Sequence, residues 1–402
     1  MRLKIAFRNV LRNKRRTVLN VFMIAGGVSA LIIFNSFVLS IITGLRDITI
    51  KTQTGHLQIA TESNWNKTAK SPKEALMTDY GKLQKKIARH PRIKSVSGRL
   101  TFFGLISKGD SSTSAQGMSF DPTAEGNIAR NFKFDSGRGF ESPKAFELAL
   151  GSPLAKQLGI KVGDRVTILA NTFDGVVNAL DLEVVGIFTT AVAMVDERTF
   201  VIPLKIAQKL MDTDRVERLI VNLKDTGETD TIMEFVQKEL GRGLEVRPWY
   251  VVSQLYRQVE EFNRVQNSIL EVIILSLILL GILNTIGMSV FERTGEIGTV
   301  AALGEPASSI LIQFVIEGGI LGFLGSLAGI GLGMLLTLLI NACEIPLVMP
   351  GATLPLTIKL DFYVRAFCEA GLLSVLAGTC AAIMPAFRAS RMNIANALRH
   401  NI

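Results

Sequence analysis

The residues with the most to offer chemically lie in a short polar interruption between two long apolar runs. The segment reads Phe291-Glu292-Arg293-Thr294-Gly295-Glu296-Ile297-Gly298-Thr299-Val300-Ala301-Ala302-Leu303-Gly304. At helical spacing, Ile297, Val300, Ala301 and Gly304 share one face, with Arg293 and Glu296 beside it. A short helix of this kind, lying across a membrane surface, is something a partner protein can grip and push. Read locally, it is a tight connector that links two spans.

Other candidate chemistry is sparse. His56 and His90 are isolated, and no nucleophile elbow, zinc-ligand helix or paired-carboxylate motif appears. No catalytic residue and no metal site is expected. There is no G-x-x-x-x-G-K-[ST] phosphate loop, so the chain is not expected to cradle ATP phosphates itself. The three cysteines, Cys343, Cys368 and Cys380, make neither a CxxC pair nor a disulfide framework and read as small hydrophobes in or beside apolar runs. Cys343 and Cys368 could both fall at outer helix ends, where a disulfide is conceivable. Glu317 interrupts an apolar stretch, at a cost of about 2.5–3.5 kcal/mol at a helix centre on insertion scales. It should face protein rather than lipid, either as a relay or, the favoured reading, hydrogen-bonding locally to fix helix geometry. Glu271 and Glu369 are expected near the outer surface, reaching headgroups or Arg365.

These residues must be positioned by helices that cross a membrane. The chain has 402 residues, 48% hydrophobic and only 20% charged, with mean hydropathy +0.34. The apolar residues gather in charge-free runs long enough to span a bilayer, which takes about 20 residues: Thr17–Leu45, Val272–Phe291, Gly318–Cys343 and Ala370–Phe387. An ordinary soluble enzyme is excluded. Thr17–Leu45 exceeds a signal-peptide core and closes on no small-residue cleavage site, so it is expected to be retained. Before the first run stand Arg2, Lys4, Arg8, Arg12, Lys14, Arg15 and Arg16; after the last come Arg388, Arg391 and Arg399. Basic flanks mark the cytoplasmic side, so both termini are placed there. The N-terminal stretch has helical period as well, with Leu3, Phe7 and Val10 on one face, and reads as an interfacial helix on anionic lipid.

The expected organisation is a cytoplasmic amphipathic helix over 1–16, a first transmembrane helix over 17–46 and a large extracytoplasmic domain with stalk over 47–266. Transmembrane helix 2 follows over 267–291, the cytoplasmic helix over 292–305, helix 3 over 308–343, an outer loop over 344–361, helix 4 over 362–387 and a cytoplasmic tail over 388–402. The extracytoplasmic domain reads as mixed α/β. Strand signals are His56–Ile59, Arg165–Leu169 and Leu182–Ile187; helix signals are Tyr80–Arg89, Ala155–Leu158, Leu204–Met211 and Asp230–Leu240. Gly159–Asp164 has turn chemistry, and the small polar stretch Gly109–Gly117 reads as a loop. The apolar stripe Val252, Leu255, Val259, Phe262, Ile269 predicts a helix running into the second span as a stalk; Ile41, Leu45 and Ile48 extend the first span likewise. Gly318, Gly322, Gly325, Gly329 and Gly333, mostly four apart, let helix backbones approach closely, within the four-helix unit or at a dimer contact.

Here a family resemblance becomes specific. The segment from Glu292 to Gly304 resembles the cytoplasmic coupling helix of the MacB/FtsX-type ABC transporter permeases, the superfamily that includes the lipoprotein-releasing LolC/LolE permeases. Their E-R-x-x-E-I-G-x-x-x-A-x-G pattern is met by Glu292, Arg293, Glu296, Ile297, Gly298, Ala302 and Gly304. Ala6–Lys14 resembles the family's amphipathic start, Gln116–Pro122 a core-domain strand end, Leu158–Asp164 with Val184–Phe188 the periplasmic core, and Arg391–Arg399 its closing basic helix.

The resemblance implies an α-helical membrane protein of the bacterial inner membrane, with four transmembrane helices and an α/β extracytoplasmic domain between helices 1 and 2. It implies a dimer with a second permease chain, the same or homologous, and a cytoplasmic ABC ATPase dimer that binds ATP and Mg. This chain is then not itself an enzyme and binds no cofactor. ATPase coupling falls on Glu292, Arg293, Glu296, Ile297, Gly298, Val300, Ala301, Leu303 and Gly304. A lipidated substrate would leave through a cavity lined by spans one and two, with Phe34, Phe37, Ile274 and Ile278 as candidates. A periplasmic carrier or adaptor is a possible partner, as are membrane lipids; no nucleic acid is. Where lipoprotein-releasing relatives have a carrier-binding hairpin, this chain has only the short segment Asn171–Leu180. The implied function is extraction or release of lipoprotein or another lipidated substrate. The alternatives are a MacB-like mechanotransmission exporter with adaptor and outer-membrane channel, or an FtsX-like regulator of an extracellular hydrolase.

Overall fold

The computed structural model describes residues 2–12, 14–125, 132–190, 192–347, 356–357 and 359–392. The side chain of Leu3, residue Asn13 and the basic stretch beyond Met392, including Arg399, lie outside the described residues. The chain divides into two compact units: a helical one (Met1–Ile42, Val259–Pro346, Thr357–Ile402) and an α/β one (Thr43–Gln258, Leu347–Leu356).

The helical unit is built from α1 (Arg2–Arg12), α2 (Lys14–Thr49), α3 (Gln254–Glu292), α4 (Thr294–Ala302), α5 (Ala307–Ala342) and α6 (Val364–Ser390). Of these, α2, α3, α5 and α6 are long and apolar enough to cross a membrane. Their sequences lack the alternation of strands, and a helix satisfies its own backbone polar groups, as lipid requires. Only α6 holds a proline inside it, Pro385. Val10, Ile24, Val28, Ile32, Ile278, Ile282, Ile286, Ile297, Phe314 and Leu321 form one core with Ala381, Ala382, Ala386 and Ala389.

The glycine series of α5 faces two neighbours. A Cβ on Gly318 would lie 2.5 Å from the Gly378 carbonyl oxygen, and one on Gly322 2.9 Å from that of Ser374, so this end closes on α6. Further along, Cβ atoms on Gly325, Gly329 and Gly333 would meet Ile24, Val28 and Ile32 of α2. Backbones that close give dispersion contact where no hydrophobic drive exists. The three cysteines are free and exposed on this unit; since their small side chains point outward, the expected core positions are taken by alanine and glycine instead.

The α/β unit holds two sheets. The smaller has strand order β11-β1-β10-β2, from β1 (Leu57–Thr61), β2 (Ile93–Arg99), β10 (Arg218–Leu223) and β11 (Leu244–Pro248). The larger joins β3 (Thr101–Lys108), β4 (Ser111–Phe120), β5 (Lys133–Gly137), β6 (Glu147–Gly151), β7 (Arg165–Asn171), β8 (Val177–Thr189) and β9 (Thr199–Pro203). Its order is β5-β8-β6-β9-β4-β3-β7, and β8 pairs with β7 as well. The long β8 reaches β7 through its first half and β6 and β5 through its second, so the sheet closes on itself and leaves few free edges.

Helices fill Tyr80–Ala88, Ser152–Leu158, Leu204–Leu210 and Thr229–Glu239, where apolar periodicity put them. Gly159, at φ 62°, ends Ser152–Leu158 in the left-handed turn that glycine permits. One expectation is corrected: Gly109–Gly117 is not a loop. Only Gly109 and Asp110 turn, and Ser111–Phe120 is strand, antiparallel to β3 and parallel to β9. Its small residues hide the strand signal because larger partners fill the space above them. A Cβ on Gly117 would come within 2.5 Å of the Phe102 ring and 2.8 Å of the Phe200 ring.

The stripe read as one stalk is broken at its start. Val252 closes a separate short helix, Trp249–Val252, and Ser253 is extended; from Gln254 onward α3 runs unbroken to Glu292. The first span's helix ends at Thr49 and passes into a π-turn over Ile50–Thr54.

Candidate functional site

The site grows from the break between α3 and α4. Arg293 leaves the helical line there (φ −107°, ψ 16°) and starts α4 as its N-cap residue. That kink turns its guanidinium back into the helical unit, over the Phe314 ring at 5.6 Å. One guanidinium nitrogen donates to Glu317 Oε1 at 3.1 Å, and Nε donates to Glu296 Oε2 at 3.1 Å. Glu317 is 3% exposed, and its Oε1 also accepts from Asn9 Nδ2 of α1 at 2.8 Å. A charge that deep is tolerated only if paired and hydrogen-bonded. Both conditions are met, by residues of α1 and the α3–α4 junction rather than by neighbours in its own helix, so the local bond expected for Glu317 is replaced by a bond across elements.

The outer face of this site is a charge ladder. Arg12 pairs with Glu296 at 3.1 Å and Arg16 with Glu292 at 2.6 Å. Arg12 belongs to α1 and Arg16 to α2, while Glu292 ends α3 and Glu296 lies in α4, so the two pairs bridge four helices. The Glu296 carboxyl is held below the usual carboxylate range, first by the hydrogen bond from Arg293 and then by the one from Arg12. These partially exposed pairs contribute little stability singly; Arg12–Glu296 ties α1 to α4, and Arg16–Glu292 ties α2 to the end of α3.

The rest of α4 sorts by burial. Ile297 and Gly298 are buried in the helical unit, and Ala301 packs at the edge of its core. Val300 is 43% and Leu303 83% exposed, and Gly304 (φ 90°) ends the helix. The face expected to be shared by Ile297, Val300, Ala301 and Gly304 is therefore split: Ile297 and Ala301 anchor inward while Val300 and Leu303 present apolar surface outward. Sequence reasoning read Arg12 and Arg16 only as topology signals and gave Asn9 no partner. Their spacings of three and four, matched by Glu292 and Glu296, were the available clue.

The expected cavity residues are only partly gathered. Ile274 and Ile278 of α3 close on Gly27 of α2, where a Cβ would meet each at 3.2 Å. Ile278 is 1% exposed and so belongs to helix packing, whereas Phe34, Phe37 and Ile274 stay half-buried. Glu369 accepts from Arg365 at 2.7 Å. His56 and His90 remain apart from any catalytic group, and among the described residues no cluster of histidine, cysteine and carboxylate side chains could hold a metal.

Four membrane helices, an α/β domain inserted between the first and second, and an anchored helix between the second and third define a polytopic membrane protein. Residues 17–239 match the MacB-like periplasmic core domain, and residues 268–394 match the FtsX-like permease C-terminal domain. The chain belongs to this family of ABC transporter permeases. It is 27% identical over 225 residues to the uncharacterized ABC transporter permease MJ1507 of Methanocaldococcus jannaschii (52% of this chain, 53% of that one). It is 28% identical over 201 residues to the lipoprotein-releasing system transmembrane protein LolC of Neisseria meningitidis (48% of each). To the macrolide export ATP-binding/permease protein MacB of Nitrobacter winogradskyi it is 28% identical over 257 residues (62% of this chain, 38% of that one). The matches with the first two span about half the length of each relative.

Proposed function

We propose that this chain is the permease subunit of an ABC transporter in a bacterial cytoplasmic membrane, with both termini in the cytoplasm. A separate ATPase dimer binds ATP and Mg and docks on α4. A second permease chain completes the complex, and motion of α4 is passed to the extracytoplasmic domain to extract or release a lipoprotein or other lipidated substrate. The observation that carries this reading is the construction of α4. Its inner face is locked to α1 and α5 through Arg293, Glu317 and Asn9, while Val300 and Leu303 stand free for a partner. A helix held this way transmits a push instead of yielding to it.

A second reading, export by mechanotransmission with an adaptor and outer-membrane channel, is favoured by the similarity to a macrolide export protein. Co-purification with the ATPase, followed by mass spectrometry of bound material, separates them: acylated protein supports release, an adaptor supports export. Glu296→Lys reverses one rung of the ladder beside the docking face. It is expected to reduce ATPase recovery to background while leaving membrane insertion intact; undiminished recovery would remove α4 as the docking element.

A further inference from the structure

One cavity in the α/β unit has a charge balance that its own fold does not use. It measures about 230 Å³ and is lined by Lys51, Lys94 and Lys224, with His56, Ser95 and Thr226 among its walls. Its two acids are already engaged. Asp47 pairs with Arg46 at 2.9 Å, and Glu125 takes two hydrogen bonds from Arg99 at 3.0 Å each. Among the described residues none of the three lysines has an ion-pair partner. The three lysines are solvent-exposed, and unpaired positive charge around a common hollow draws anions to it.

The walls suit an anion in other respects. His56 Nδ1 accepts from the Leu223 backbone N–H at 3.1 Å, which places the ring proton on Nε2, donated to Thr226 Oγ1 at 3.1 Å. Ser95 Oγ accepts from Asn222 Nδ2 at 3.2 Å. Both hydroxyls are thus occupied as acceptors and keep their own protons to donate. The hollow lies below the roughly 300–1,000 Å³ of pockets for drug-sized ligands and suits a single phosphoryl group.

We propose that the cavity bounded by Lys51, Lys94 and Lys224 binds a phosphate group, lipid-borne or free. The test uses the full chain in neutral detergent, titrated with short-chain phosphatidylglycerol, short-chain phosphatidylcholine and inorganic phosphate. Wild type should bind phosphatidylglycerol, inorganic phosphate or both, and the K51Q/K94Q/K224Q triple variant should lose more than about tenfold in that affinity, given the contribution of each basic residue near an anionic surface. The arginine triple variant, which keeps the charge, should retain it. Inorganic phosphate bound equally well, with the same lysine dependence, would keep the anion site but make its source free phosphate. Phosphatidylcholine bound as tightly as phosphatidylglycerol, equal binding by wild type and the glutamine triple variant, or no binding of either anion by wild type would overturn the proposal.

Discussion

The two units bury themselves by opposite means. In the α/β unit the fully buried side chains are large: Phe120, Phe188, Phe200, Leu100, Ile106. In the helical unit much of the contact is made by what is missing, at Gly318, Gly322, Gly325, Gly329 and Gly378, with Ala381, Ala382, Ala386 and Ala389 beside them. Water drives apolar area out of contact with itself, so a water-facing domain gains with each large side chain it hides. Lipid tails are as apolar as leucine, so membrane helices gain by close approach and by the few polar bonds they share. The buried ion pairs repeat the contrast. Arg99 holds Glu125 through one guanidinium nitrogen that donates to both carboxylate oxygens, whereas Glu317 divides one oxygen between Arg293 and Asn9 and thereby ties three elements together.

Substitutions that reverse the two strategies sharpen this comparison. Phe200→Ala should cost about 3–5 kcal/mol in the domain, and Gly318→Leu, forced against the Gly378 carbonyl, at least about 1–3 kcal/mol in the helical unit. Thermal unfolding of the full chain in detergent, followed by a probe in each unit, should show each variant destabilising its own unit. A Gly318→Leu protein that melts like wild type would break the account of α5.

Glu317→Ala strands the Arg293 guanidinium, and losing one partner of a buried pair is worth about 3–5 kcal/mol in water-soluble proteins. The effect here should be smaller, because polar bonds inside membrane proteins average about 0.6 kcal/mol in double-mutant cycles. Glu317→Gln, which can still accept from Asn9, should fall between the alanine variant and wild type in both melting temperature and ATPase recovery. If Glu317→Ala retains full ATPase recovery, the buried acid serves stability alone.

The smallest effect is confined to the domain. Burial, aided by the nearby Lys94 charge, pulls His56 from its ordinary 6.5 down to about 4. The folded state therefore keeps the neutral ring while the unfolded chain takes up a proton first. Stability is complete above about pH 6.5 and declines as pH falls toward 4. His56→Gln should flatten that part of the melting-temperature profile between pH 6.5 and 4.5; an unchanged slope would assign the acid sensitivity to carboxylates.

Much of this is legible in the amino-acid sequence. Four spans, an α/β insertion after the first and a short mixed-charge helix after the second follow from local quantities: the length of a charge-free run, the period of apolar residues, the spacing of Glu292 and Glu296. Such signals survive in one dimension because a bilayer and a helix impose fixed lengths and periods. The strand Ser111–Phe120 escaped because its small residues match rings that come from Phe102 and Phe200, and no periodicity within the strand records them. The partners of Glu317, the two helices that divide the α5 glycines, the inward turn of Ile297 and the lysines that meet around one hollow were decided only in three dimensions. Each depends on residues tens to hundreds of positions apart coming within a few ångströms, and close packing and charge pairing act on distance in space rather than along the chain.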